Sequence, residues 1–266
     1  MNPSQLMASA AFVLLAAAAG VQAAGLLFRR ARPEGFSRWL LAAAAALLLG
    51  AVLERSLRIR FLAVTNTFES LLFWAGVTAL VLLLFRLTAG ERFPALAGLG
   101  GTVVALALLA VASSPAIPKQ ALPPVPALQS HWLALHVSLA FVGESFFVVG
   151  FVAAVLRLSA REQSHCARLD RLMVRSIAIG YPIFTVGALV FGAVWAQSAW
   201  GAYWSWDPKE TWALVTWLVY TAFLHSWRIR RLRGRPAAWL SIVGFAFTVF
   251  TFFGVNYLLP GLHSYG

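Results

Sequence analysis

The sequence predicts an all-α integral membrane protein of about eight transmembrane helices, with both termini extracytoplasmic. Three observations predict it. Hydrophobic residues fill 61% of the 266 positions and charged residues 11%, at a mean hydropathy of +0.79, more apolar surface than a water-soluble chain of this length can hide. These residues fall in long windows, most of them sufficient to cross roughly 30 Å of hydrocarbon. The 21 Lys and Arg, against 9 Asp and Glu, sit between the windows and favour alternate connections. A soluble enzyme is thereby excluded. The basic surplus reads as a topology signal rather than as a nucleic-acid surface.

Taken in order, the windows lie near 7–28, 39–54, 69–87, 94–112, 132–156, 176–197, 208–227 and 237–259. The first is read as a retained helix and not a cleaved leader, because no basic residue precedes it and Arg29, Arg30 and Arg32 follow it. The second is short. The connections 29–38, 86–92, 157–175 and 228–235 hold 16 of the 21 basic residues, leaving Arg55, Arg58, Arg60, Lys119 and Lys209 for the opposite set. With an even helix count, that split puts both termini and the loops near 55–68, 113–131 and 198–207 outside the cytoplasm. The Pro-rich stretch 115–126 is too short and polyproline-like to fold alone, so 1–266 reads as a single polytopic membrane domain. No fixed-period repeat is present. The single Cys166 excludes an internal disulfide, a CxxC redox pair, a zinc knuckle and a CxxCH haem-attachment site.

Chemistry concentrates between Trp195 and Trp217, where Trp195, Trp200, Tyr203, Trp204, Trp206, Trp212 and Trp217 crowd the outer side. An interfacial aromatic belt spreads its Trp and Tyr over all helices at both surfaces; six of the eleven Trp in one segment favour a platform for a flat aromatic ligand. Asp207-Pro208-Lys209-Glu210 reads as an N-cap, a first-turn proline and a capping box that start the seventh helix. Lys209 then either snorkels to water or meets a ligand carboxylate.

Of the five histidines, His165 stands among arginines of an inner loop and reads as solvated, and His131 reads as a cap or interface residue. His136, one turn into the fifth helix, and His263, just past the eighth, both fall near the outer surface. Two neutral imidazoles at one depth can hold a metal axially. His225 lies seventeen residues beyond Pro208, about 25 Å deeper, and so cannot share one metal with His263. Three ligands would therefore define at least two sites, one inner and one outer, unless each His only hydrogen-bonds a helix neighbour. Glu144, within the bilayer span, is a site candidate by default. Glu69, after Thr65-Asn66-Thr67, either favours a helix N-terminus through the dipole or belongs to a site.

The run Trp200-Gly201-Ala202-Tyr203-Trp204-Ser205-Trp206-Asp207-Pro208-Lys209-Glu210-Thr211-Trp212 resembles the tryptophan-rich WWD signature of membrane haem-handling proteins, specifically the CcsA/ResC family of system II cytochrome c biogenesis. Supporting segments are Leu128-Gln129-Ser130-His131-Trp132-Leu133, His136-Val137-Ser138, Leu224-His225-Ser226, Gly254-Val255-Asn256 and Gly261-Leu262-His263-Ser264-Tyr265-Gly266. Thr65-Asn66-Thr67-Phe68-Glu69-Ser70 matches more weakly, since the family usually has Tyr before that Glu. Gly143-Glu144 stands where the family more often has Ser and Tyr, so Glu144 draws no support from the resemblance.

The resemblance implies haem export and attachment in a bacterial inner membrane. His136 and His263 would hold haem b iron at the outer site and His225 at the inner one. The loop 198–212 would be the haem-binding segment, through Trp200, Tyr203, Trp204, Trp206, Asp207 and Trp212. Implied partners are a CcsB/ResB-like membrane protein, which contributes a further membrane histidine, apocytochrome c with its CxxCH segment, and a thioredoxin-like thiol reductant. Rival readings are a b-type electron-transfer cytochrome, a HemX-like regulator and an exporter that leaves attachment to another protein. A b-type cytochrome would want His pairs at matched depth within the chain, and only His225 lies deep.

Overall fold

Inside a bilayer a backbone must satisfy its own hydrogen bonds, so each apolar window becomes a helix. The computed structural model describes residues 2–28, 32–90 and 93–261, and eight continuous helices run through them. They are α1 (Pro3–Leu27), α2 (Arg32–Ile59), α3 (Thr67–Ala89), α4 (Ala95–Ser113), α5 (His131–Ser159), α6 (Gln163–Trp200), α7 (Pro208–Ser226) and α8 (Arg235–Leu258). There is no strand among the described residues. Seven of the eight are long and apolar enough to cross a membrane. The other, α7, has 19 residues, about 28 Å at 1.5 Å each, but carries Lys209, Glu210, Trp212, Trp217 and His225 among its apolar positions.

The helices sort into two compact units, Met1–Gln129 and Ser130–Gly266. In the first, α1 packs on α2 and α4, and α3 packs on both of those, closing a four-helix ring. The stripe that α1 buries, Ser4, Ala8, Ala11, Leu15, Ala18 and Gln22, repeats every three or four residues and is mostly small, which lets the neighbouring backbones approach. Gln22 ends the stripe with a hydrogen bond to Thr102 Oγ1 on α4 at 3.1 Å.

The second helix, short as an apolar window, is in fact continuous from Arg32 to Ile59. Its charges do not end it because Arg55 is fully buried in an ion pair with Glu69, 3.0 Å from Nη2 to Oε1. Arg55 also donates to the carbonyls of Lys119 and Gln120 at 3.1 and 2.9 Å, tying the Pro-rich connection to α2. The other oxygen of Glu69 accepts from Thr65 N and Oγ1 at 3.2 and 3.3 Å, while Asn66 caps α3. Of the two roles open to Glu69, the ion pair puts a structural one beside any dipole effect.

In the second unit α5 packs on α6 and α8, and α7 packs on the same two, again in ring order. The connection expected over 157–175 is helical from Gln163 onward. Arg168, Arg171 and Arg175 ride on that extension while Leu169, Leu172 and Met173 are buried, an amphipathic turn pattern that a hydropathy window overlooks. Arg157 of α5 pairs with Asp170 of α6 at 2.8 Å. Both α6 and α8 contain a π-helical segment, Thr185–Phe191 and Phe250–Gly254. The first follows Pro182, whose missing N–H breaks the regular ladder.

Candidate functional site

The segment between α6 and α7 is organised by its two ends. Gly201, at φ +77°, caps α6 in the left-handed conformation. Asp207 caps α7 with Pro208 in the first turn, and the reciprocal capping box with Glu210 is present, as the sequence predicts. Glu210 Oε2 also accepts from the amides of Ser205 and Asp207 at 2.8 and 3.3 Å, folding the loop back onto the helix. Trp206 sits at φ +60°, a strained value for a side chain of its size, and the residue is 69% exposed. Tyr203 is 62% exposed, and Trp204 meets Trp206 edge to face at 5.7 Å. The loop thus presents aromatic surface outward from a fixed base.

His136 stands against this end of the unit. Its ring stacks on Trp195 with centroids 6.1 Å apart and planes within 6°. Trp195 in turn meets Trp200 edge to face at 5.7 Å. His136 Nδ1 lies 2.9 Å from the carbonyl of Gly187, inside the π segment of α6. A carbonyl only accepts, so the neutral ring carries its proton on Nδ1 and its lone pair on Nε2. Gly187 permits the approach: a Cβ there would lie 2.6 Å from Leu139 Cβ on α5. A π segment frees carbonyls from the regular ladder, which suits one to an external donor.

The seven aromatics do not form one sheet. Trp195 and Trp200 gather at His136, Trp204 pairs with Trp206, and Trp212 packs on Phe247 and Phe250 of α8 at 5.4 and 4.5 Å. Trp217, a turn and a half further along α7, stacks on Tyr181 and donates to Thr185 Oγ1 at 2.9 Å. Gly187 and the π segment are site features that sequence reasoning did not single out, whereas Trp195 was counted in the aromatic cluster but not paired with His136. Only the proline at 182 hinted at an irregular helix.

His225 lies near the far end of α7, exposed, with Nδ1 2.9 Å from the carbonyl of Thr221. Trp217, Thr221 and His225 follow at four-residue steps on one face. His225 and His136 therefore belong to different levels of the unit, while His131 is the exposed first residue of α5 behind the cap Ser130. Glu144 is 7% exposed, and Lys209 turns inward to donate to Asn256 Oδ1 at 3.0 Å. His263 lies outside the described residues.

Among the described residues no three of His, Cys, Asp and Glu gather to cage a bare metal ion. An iron already held by a porphyrin needs only one or two axial imidazoles, and an imidazole stacked on the indole of Trp195 fits that group.

Residues 64–263 match the family model described as Cytochrome C assembly protein. Similar curated proteins include the cytochrome c biogenesis protein CcsA of Guillardia theta, 37% identical over 236 residues and covering 76% of each chain. That of Synechococcus sp. (strain CC9902) is 36% identical over 304 residues, covering 99% of this chain and 98% of its own. Among solved structures, the chain named Cytochrome c Heme Lyase CcmF shares the fold at a TM-score of 0.70 and 22% identity. That likeness covers 94% of this chain and 46% of the neighbour, so the chain spans a little under half of that structure.

Proposed function

The chain belongs to the cytochrome c assembly protein family, and on that premise we propose that it binds haem b at two levels of its second unit and hands it on for attachment. Cytochrome c biogenesis by a multi-pass membrane protein follows from the family and the helices. Finer in this reading are the ligands, the partner and the direction of delivery.

One observation carries it. His136 is held by the Gly187 carbonyl and the Trp195 face in the tautomer that keeps the ring lone pair on Nε2, the form an iron ligand requires. His263 serves as the second outer ligand. Trp200, Tyr203, Trp204, Trp206 and Trp212 supply apolar faces that exclude water, and Asp207 fixes the helix start beneath them. His225, exposed on α7, is the inner ligand, and its exposure leaves room for a CcsB/ResB-like partner to complete that site.

When bound, haem supplies vinyl groups to which the thiols of an apocytochrome CxxCH segment add. The part of this chain would then be largely positioning, with His136, His263 and the aromatic loop holding the haem for that addition. The arginine-rich connections support an orientation with the loop 198–212 and both termini outside the cytoplasm, and the reading assigns the chain to a bacterial inner membrane.

The test is an absorption spectrum of the chain purified with and without a CcsB-like partner, repeated for His136→Gly, His225→Gly and His263→Gly with imidazole added back. Loss of the haem bands restored by imidazole identifies a ligand. Unchanged bands in all three variants would refute the reading.

A further inference from the structure

Two connections close the second unit at one end, 157–175 between α5 and α6 and 228–235 between α7 and α8. They hold five arginines each, against two acids, Glu162 and Asp170, and no lysine. The fold draws them together around Arg157. Its Nε donates to Asp170 Oδ1 on α6 at 2.8 Å, and Gly234, at φ +79°, comes so close that a Cβ there would stand 2.8 Å from its Nη2. Arg235 Nη1 donates to the Leu158 carbonyl at 2.9 Å, which ties the start of α8 to the end of α5.

The connection between α7 and α8 is itself folded. The amides of Arg228 and Ile229 donate to the carbonyls of His225 and Ser226 at 2.9 and 3.1 Å, and Arg230–Leu232 makes one tight turn. Arg233 Nε donates to the Trp227 carbonyl at 2.7 Å, with its guanidinium 5.9 Å from the indole centre. These bonds use one nitrogen each of Arg233 and Arg235 and leave the rest of each fork for an anion. Arg228, Arg230 and Arg231 are exposed and enter no ion pair among the described residues. Like charges held this close repel one another, so the arrangement calls for an anion that the connections do not supply.

Two exposed apolar side chains decide which anion. Ile229 is 46% exposed among the arginines, and Trp239, 57% exposed, stands four residues after Arg235 on the same face of α8. A soluble phosphate gains nothing from either. At a bilayer surface, an indole sits at headgroup level and an isoleucine meets the acyl chains. We propose that the 228–235 connection, with Arg157 at its base, is a binding site for the phosphodiester headgroup of an anionic phospholipid whose acyl chains lie against Ile229 and Trp239. Guanidinium forks suit the paired oxygens of a phosphodiester, where a lysine offers only a point charge. The site requires neither bound haem nor one orientation of the chain across the membrane.

Native mass spectrometry of the delipidated full chain, titrated with phosphatidylglycerol or phosphatidylcholine, tests it. The parent is expected to retain phosphatidylglycerol in preference. Arg230→Gln/Arg231→Gln, at exposed positions, should weaken that binding by roughly thirty-fold. Arg230→Lys/Arg231→Lys keeps the charge and should still weaken it, by about three-fold to ten-fold. In nanodiscs, hydrogen–deuterium exchange at amides 227–235 should slow with phosphatidylglycerol and not with phosphatidylcholine alone. A lysine double variant that binds phosphatidylglycerol like the parent overturns the site in favour of diffuse surface charge. Equal retention of the two lipids, or exchange at 227–235 indifferent to which is present, overturns it as well. Displacement of the lipid by inorganic phosphate or ATP would make this a site for a soluble anion and overturn the lipid assignment.

Discussion

His136 on α5 and Gly187 on α6 are joined ring to backbone by a 2.9 Å hydrogen bond, at a point where the glycine has no room for a side chain. The bond and the close approach depend on each other. The carbonyl reaches the imidazole only because the two helices nearly touch.

Gly187→Ala should therefore push α6 from α5 and cost about 1–3 kcal/mol, as overpacking does. Tryptophan fluorescence during thermal unfolding in detergent would show it. In the haem-loaded protein, the outer bands should weaken further than stability alone explains, because the tautomer of His136 loses its partner. An alanine variant as stable as the parent would show that the helices can part freely.

Arg55→Met should destabilise the first unit by about 3–5 kcal/mol, because Glu69 would remain buried without its counter-charge. Replacing both, Arg55→Met/Glu69→Leu, should recover most of that loss. Detergent unfolding of the single and double variants gives the comparison. A double variant as damaged as the sum of its singles would mean that the bonds to Lys119 and Gln120, and not the charge, decide the cost.

At the start of α7, Asp207→Ala removes the cap and should cost about 1 kcal/mol, while Asp207→Asn keeps an accepting oxygen and should cost less. Glu210→Ala frees the amides of Ser205 and Asp207 and should make the 201–206 loop more sensitive to protease. Equal cleavage of parent and Glu210→Ala would argue that the loop is held from elsewhere.

His136→Gly and His225→Gly should remove separate parts of the haem absorption. The helix between Pro208 and His225 spans about 25 Å, so neither ligand can substitute for the other. Spectra of the two singles and the double, in the presence of a CcsB-like partner, should add. A single variant that abolished all absorption would point to one shared site.

The helices were legible in the sequence because lipid makes one demand, internal satisfaction of the backbone, and apolar length expresses it directly. The cap at Asp207 was legible for a similar reason: Asp, Pro and Glu at those offsets satisfy local donors without help from distant chain. The full length of α2 and the helical start of α6 were not, since Arg55 is neutralised by a residue fourteen positions away and the arginines near 168–175 cover an amphipathic turn.

By itself, then, the sequence determined the membrane-spanning helices, the family signature and the helix start beneath it, all properties of neighbouring residues in one solvent. Only the tertiary structure decided that His136 faces Gly187 and Trp195, that the tryptophans divide into separate groups, and that Lys209 turns inward to Asn256. Those relations depend on a π segment and on the close approach of helices. A backbone carbonyl has no letter in the sequence, and which helix faces it is settled only when the bundle closes.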